Sequence, residues 1–234
     1  MDFTISPKIE DYRARIARFV EQEILPLEED RANYDPHENI RKDVLRDLRA
    51  KAKAEGLWCL QLKQETGGQE LGIQGMAVCY EEMNRSIFGP VVFNAAAPDD
   101  GNMQVLEKVG TEAQKAAWLQ PIVRGDVQSA FVMTEPAPGS GSDPGGMMLT
   151  SATRKGDSYV VRGRKWFITG AEESEHFILI ARTSDDPRKG LSAFLHKRDT
   201  PGFRIERRIP IMGPEEHGGH CEVVYEDMEI PAEN

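Results

Sequence analysis

Cysteine is scarce. Cys59, Cys79 and Cys221 are three in 234 residues, odd in number and widely spaced, which excludes a disulfide framework and fits reduced thiols. No activating base can be argued for any of them from sequence, so none is read as a nucleophile. Long apolar runs are missing as well: no stretch is long enough to cross a bilayer. The start, Met1-Asp2-Phe3-Thr4-Ile5-Ser6-Pro7, lacks the basic residues and apolar core of a signal peptide, and a cytoplasmic location is expected. Positive charge is in deficit, with 29 Lys and Arg against 39 Asp and Glu for a net charge of −10, and no local basic stripe with interleaved aromatics offsets it. Such a surface repels phosphate backbones, so nucleic acid is not expected as a partner, although a local pocket can still take a phosphorylated ligand.

What is present is enough for a real core: 39% hydrophobic and 29% charged residues, in a length that suits one large domain or two small ones. From Pro7 to about Arg31 the apolar residues Ile9, Tyr12, Ile16, Phe19, Val20, Ile24 and Leu27 recur in steps of three and four, one face of a helix with Ser6 as its cap. A second helix is predicted over Ile40 to Glu55, with Val44, Leu45 and Leu48 inward and Gly56 as its stop. A third runs from Gly72 to Arg85, its methionines Met76 and Met83 serving as core filler. Pro98-Asp99-Asp100 starts another, with Asp99 as cap, Met103, Leu106 and Val109 on one side, and Gly110 at its end. Thr111 and Gln114 then form a capping box for a last helix reaching about Val123. Five or six helices with short turns make a bundle.

Near Val127 alternation replaces the helical period. Tyr159-Val160-Val161-Arg162, Phe177 to Ala181, Ser192 to Leu195 and Glu222 to Tyr225 read as strands, and Gly156-Asp157 reads as the turn of a hairpin between segments 149–153 and 158–160. Pro187, Gly190, Pro201, Gly202 and Pro214 punctuate the remainder. The expected fold class is α+β multidomain: an N-terminal α-helical bundle over 1–126, followed by an antiparallel β-barrel or sandwich domain over 127–234.

One stretch stands apart. Phe131-Val132-Met133-Thr134-Glu135-Pro136 leads into a glycine and serine string from Gly139 to Gly146, and after the hairpin comes Lys165-Trp166-Phe167-Ile168-Thr169. The string has two readings that composition leaves open, a flexible linker or a nest of backbone N–H groups for a diphosphate.

Thr134-Glu135-Pro136 with Gly139-Ser140, then Gly163-x-Lys165-x-x-Ile168-Thr169, resembles the signature of the acyl-CoA dehydrogenase family. So do Gly110-Thr111-Glu112-x-Gln114-Lys115-x-x-Trp118-Leu119-x-Pro121-Ile122-x-x-Gly125 and the late segment from Ile211-Met212-Gly213 to Pro231-Ala232-Glu233-Asn234. The motifs occur in order across the whole chain. The resemblance implies FAD lying extended against the β domain, with acyl-CoA on its other side. Carried over by position, Phe131, Met133 and Thr134 line the flavin ring, Thr134 donating its hydroxyl to it. Gly139 and Ser140 meet the diphosphate, and Phe167, Ile168 and Thr169 close over the ring. Ser140 and Ser142 compete for the substrate side, because Gly141-Ser142 lengthens the turn before Asp143 relative to many relatives. Phe167 stands where tryptophan is common, with Trp166 beside it.

In the family the chain continues into a third, helical domain that carries the carboxylate base, much of the acyl pocket and subunit contacts. No catalytic residue is therefore assigned in these 234 residues. Glu135 is read as a structural acceptor in its turn rather than a general base. His217-Gly218-Gly219-His220-Cys221 lacks further ligands at usable spacing, so no metal is expected, and the loop is a candidate for the CoA side. The implied activity is α,β-dehydrogenation of an acyl-CoA thioester in fatty acid metabolism, with electron-transferring flavoprotein as acceptor and a homo-oligomeric assembly. Two other readings stay open: a flavin oxidase or monooxygenase on the same fold, and a non-catalytic binding or oligomerisation module whose bundle exposes an apolar face.

Overall fold

Ser6 accepts the backbone N–H of Ile9 at 3.4 Å and Pro7 lies in the first turn, so helix α1 (Pro7–Phe19) begins at the residues the sequence marks for it. This is seen in the computed structural model, which describes residues 4–145, 147–186 and 190–234. Gly146, Pro187 and Met1 to Phe3 lie outside the described residues.

The α1 path continues through a wide π-type turn, Val20–Ile24, into α2 (Leu25–Glu28). Helices α3 (Lys42–Ala54), α4 (Gly72–Met83), α5 (Gly89–Val92) and α6 (Asp99–Val109) follow. Next, α7 (Glu112–Gln114) passes through a second wide turn, Lys115–Leu119, into α8 (Gln120–Arg124). Both wide turns immediately precede a helix with proline in its first turn, Pro26 and Pro121. A proline has no N–H for the preceding turn and its ring crowds the carbonyl four residues back, and a looser turn absorbs both effects. The Thr111–Gln114 capping box is formed in both directions, at 3.0 and 3.2 Å.

Helices α1 to α5 close on a core that includes Ile16, Phe19, Ile24, Leu48, Met83 and Phe88, and Met103, Leu106, Trp118 and Ile122 of the later helical segments are buried as well. Two expectations are corrected. Asp99 is the first residue inside α6, after Pro98, and does not cap it; its side chain is buried in the first turn. Val109 does not join Met103 and Leu106 in the core: it is 72% exposed at the helix end, where the chain has already turned to Gly110. Ile73 and Ile87 are likewise exposed.

The chain divides into two compact units, Met1–Gly125 and Asp126–Asn234. The second is a seven-stranded sheet of β1 (Gln128–Val132), β2 (Ser151–Lys155), β3 (Ser158–Thr169), β4 (Ser174–Arg182), β5 (Leu191–Lys197), β6 (Phe203–Arg208) and β7 (His220–Pro231). The order is β1-β4-β2-β3-β7-β6, with β5 paired to β4. Gly156, at φ +61°, turns β2 into β3, closing the hairpin the sequence marks at Gly156-Asp157. Not every pair is antiparallel. β1 runs parallel to β4, and β2 meets β4 in parallel at Ser151 and Arg182, because of these four strands β3 alone runs the other way and brings the chain back to the starting end of β1 before β4 begins. Val132, Val161, Ile168, Phe177, Leu179 and Tyr225 are among the residues that fill the core of this unit.

Candidate functional site

Where β1 ends, Glu135 turns inward and organises the loop that follows. Its carboxylate is 1% exposed and accepts the backbone N–H of Thr150 at 2.7 Å, Leu149 at 2.8 Å and Ser140 at 3.2 Å. The fully buried Lys165 of β3 lies 3.2 Å from it and also donates to the Met133 carbonyl at 2.7 Å. Two backbone bonds complete the knot: Trp166 N–H to Thr134 O at 3.0 Å, and Glu135 N–H to Gly141 O at 3.0 Å. Gly139 is required here by close approach, since a Cβ would stand 2.4 Å from a Glu135 carboxylate oxygen. Burial alone would raise the Glu135 carboxyl, but the hydrogen bonds at Thr150 and Leu149 and the Lys165 charge hold it below the usual carboxylate range. Burial pushes the Lys165 ammonium down to about 8, against the pull of Glu135. With its oxygens occupied by these internal donors, Glu135 has the geometry of a structural acceptor.

The strand opposite is bent to match. Lys165 pairs with Val223 and Ile168 with Cys221, so Trp166 and Phe167 together face the single residue Glu222: a β-bulge. Strict alternation would put Phe167 on the same side as Lys165. The bulge, with Phe167 at φ +51°, instead sends both Lys165 and Ile168 inward and leaves Phe167 44% exposed. Its ring meets the half-buried Trp166 edge to face, centroids 5.0 Å apart. Glu222 is itself held between Arg164 at 2.6 Å and Arg207 at 2.7 Å.

The residues singled out from sequence therefore separate into groups. Met133, Thr134, Gly139, Ser140 and Phe167 are drawn together by the Glu135–Lys165 knot and the bulge. Phe131 lies earlier on β1, 36% exposed, on the strand face opposite the buried Val132. The Thr134 hydroxyl makes no side-chain hydrogen bond among the described residues, and the Ser140 hydroxyl is buried without a partner. Ser142 is exposed and its side chain is not engaged among the described residues. Ile168 departs from expectation: its side chain is 1% exposed and belongs to the β core, so only its backbone can face a ligand.

Thr169, half-buried, places its hydroxyl 3.0 Å from His220 Nδ1, and His220 Nε2 lies 2.7 Å from the Glu216 carboxylate. His217 is buried, and among the described residues no cluster of three His, Cys, Asp or Glu side chains is placed to hold a metal ion. No described helix is long and apolar enough to cross a membrane. A cleft of about 560 Å³ opens between Pro144, Met147 and Leu149 and the end of β4 with Arg182 and Asp185; it includes none of the residues assigned to flavin or substrate from sequence. Lys165, Glu216 and His220 were not singled out as site residues by sequence reasoning. A lysine inside an alternating strand next to a tryptophan was the available signal for the first, and the two histidines of the glycine loop for the last.

Two family descriptions match the chain: the acyl-CoA dehydrogenase N-terminal domain over residues 6–126 and the acyl-CoA dehydrogenase middle domain over 130–228. FadE2 of Mycobacterium tuberculosis strain H37Rv, named a probable acyl-CoA dehydrogenase, is 39% identical over all of this chain and 58% of its own length. A solved acyl-CoA dehydrogenase homologue from Mycobacterium abscessus superposes with a TM-score of 0.87 at 36% identity, covering 98% of this chain and 60% of that one. The FAD complex of PigA superposes with a TM-score of 0.80 at 27% identity, covering 100% of this chain and 58% of that one. The chain thus spans a little over half the length of these three proteins.

Proposed function

Because the chain belongs to the acyl-CoA dehydrogenase family, we propose that its unit 127–234 is the flavin-facing part of an FAD-dependent acyl-CoA dehydrogenase, with 1–126 as its helical companion. The observation that carries this reading is the combination at the knot: an outward aromatic held by a strained bulge, beside hydroxyls that lack partners. Phe167 is exposed in a left-handed conformation, and the Ser140 hydroxyl is buried and unsatisfied. Natural chains seldom keep either feature without a use for it.

The residues present fit a flavin. Phe131 and Phe167 offer aromatic surface to a planar ring, and the Thr134 and Thr169 hydroxyls offer hydrogen bonds to its edge. The Ser140 hydroxyl and the glycine-rich turn suit the diphosphate. Bound FAD would supply the redox chemistry, accepting the hydrogen removed from the β-carbon of an acyl thioester. The contribution of this chain is to hold the ring in one orientation and to keep water from that face; the Glu135–Lys165 pair does so at one remove, by fixing the turn on which Thr134 and Ser140 sit. Ser140 and Ser142 are the candidates for contact with the substrate side. Of these, Ser140 fits better, because its hydroxyl is already buried and unpartnered.

The partners that belong to this reading are an acyl-CoA as substrate and electron-transferring flavoprotein as acceptor, in a cytoplasmic homo-oligomer of fatty acid metabolism. The test is anaerobic mixing of the FAD-loaded full-length protein, including the third domain that carries the base in this family, with acyl-CoAs of several chain lengths. Bleaching of the oxidised-flavin absorbance by at least one of them is the expected result. A protein that carries FAD and bleaches with none of them overturns the substrate assignment, and one that acquires no FAD overturns the cofactor.

A further inference from the structure

Glu222 lies on β7 between two strands that each carry an extra residue at its level. On one side Lys165 pairs with Val223 and Ile168 with Cys221, which leaves Trp166 and Phe167 opposite Glu222. On the other, Ile205 pairs with Val223 and Arg207 with Glu222, so Glu206 is inserted at the same step of β7. The Glu222 side chain, 7% exposed, ties the three strands together there: Arg164 of β3 donates to Oε1 at 2.6 Å and Arg207 of β6 to Oε2 at 2.7 Å. The Arg164 bond, together with that of Arg207, holds the Glu222 carboxyl below the usual carboxylate range against the pull of burial.

Further along the β3–β7 ladder the displacement is undone. Val161 pairs with Met228 and Gly163 with Tyr225, so Arg162 faces both Glu226 and Asp227, the latter at φ +52°. Only the stretch 163–165 against 223–225 is therefore out of step with the pairing on either side of it. Closing both bulges would leave the ends of the ladder where they are, and would set Lys165 against Val224 and Trp166 against Val223. A shift of one residue exchanges the two faces of a strand. In that uninterrupted pairing Trp166 and Arg164 turn toward the core, while Lys165 turns away from Glu135. Arg164 is then on the opposite face from Glu222, so the bond between them exists only in the bulged pairing.

We propose that Glu222, gripped by Arg164 and Arg207, is a positioning residue that selects the bulged pairing and thereby fixes the left-handed, outward Phe167. A contact made in one of two arrangements shifts the balance toward that one. Glu135 favours the same pairing from the core side through Lys165, 3.2 Å away. Glu222 does so from the other face, and Arg207 ties it to β6. That the ligand facing Phe167 is a flavin rests on the reading given under Proposed function; the choice of pairing does not.

The first measurement needs no flavin. In protein carrying ¹⁵N-labelled phenylalanine, the Phe167 amide, assigned by its loss in Phe167→Tyr, gives a strong intraresidue cross-peak to its α-proton at positive φ and a weak one in an extended strand. The strong cross-peak is expected in the unmodified protein and in Lys155→Ala, which removes an ion pair with Glu229 elsewhere on the ladder. Glu222→Ala should weaken it, and Arg207→Ala, a change of an exposed side chain, should weaken it less; if Glu222→Ala does not fold, Arg207→Ala decides alone. A weak cross-peak in the unmodified protein, no response to either variant, or an equal response to Lys155→Ala overturns the proposal. The second is a mutant cycle read by FAD affinity. Glu222→Ala should weaken FAD about fivefold, the ratio equivalent to one aromatic contact of roughly 1 kcal/mol, and by less than about twofold in a Phe167→Gly background, where no ring is left to position. Equal effects in both backgrounds would mean that Glu222 acts by another route and would also overturn it. If the protein takes up no FAD while the Phe167 cross-peak answers to Glu222, the flavin reading fails and the positioning of Phe167 stands.

Discussion

Replacing Glu135 by glutamine should unfold the β unit far more readily than an isosteric change usually does. Lys165, fully buried and 3.2 Å away, would lose its counter-charge. The new amide group would also set its own N–H atoms against at least one of the N–H donors of Thr150, Leu149 and Ser140 that converge on the carboxylate. Removing one member of a buried pair costs about 3–5 kcal/mol. At a urea dependence of roughly 2 kcal/mol per molar, that lowers the unfolding midpoint by about 2 M. Removing the ammonium as well takes away the stranded charge, so Glu135→Gln with Lys165→Met should cost about 2 kcal/mol less than the sum of the two single changes. The assay is urea unfolding followed by circular dichroism, alongside hydrogen exchange of the Leu149 and Thr150 amides, which should lose protection in Glu135→Gln first. A loss below about 1 kcal/mol, or strictly additive single changes, would refute the idea that this pair holds the turn together.

Acid should weaken the fold in two stages. His196, stacked on Phe177 and 3.1 Å from the Tyr225 hydroxyl, is pushed down to about 4 by burial. The unfolded chain therefore takes its proton first, and stability present above the ordinary value of 6.5 is lost as pH falls toward about 4, by roughly 3 kcal/mol. The Glu135 carboxyl is also lowered, so its contribution is present above the ordinary carboxylate value and is lost only at more acid pH. Urea midpoints measured across this range should show both stages, with His196→Gln flattening the first and leaving the second. Phe167→Gly relieves left-handed strain of about 1–2 kcal/mol but gives up an aromatic contact of about 1 kcal/mol. Stability should therefore change little in thermal unfolding, whereas FAD affinity in a fluorescence titration should fall at least tenfold. Ser140→Ala removes a buried hydroxyl that has no partner, so the flavin-free protein should be no less stable, while FAD binding weakens about fivefold; a stability loss above about 1 kcal/mol would show that the hydroxyl serves the fold instead.

The helical half was legible wherever the determinants are local. Thr111 and Gln114 are three residues apart and form the capping box their identities imply, and Ile9, Ile16, Phe19 and Ile24 all enter the core that their spacing predicts. The reading failed where an end effect intervened, at Val109, which continues the apolar period past the point where the core stops. In the β half the strands and the Gly156 hairpin were visible, but the bulge was not. A period of two carries no mark of an inserted residue, and only the pairing with β7 reveals that Trp166 and Phe167 share one partner. Ile168, which the resemblance places among the ligand-facing residues, points into the core because of that bulge. Contacts between residues far apart in sequence, Glu135 with Lys165 and Thr169 with His220, were out of reach for the same reason: they are set by strand register.

The most direct test of the flavin-facing assignment is amide hydrogen exchange of the protein with and without saturating FAD. Added protection should concentrate in residues 131–142 and 165–170, the two segments joined by the Glu135–Lys165 knot and the bulge. Binding of FAD with no added protection in either segment, or no binding at saturating concentration, would contradict it.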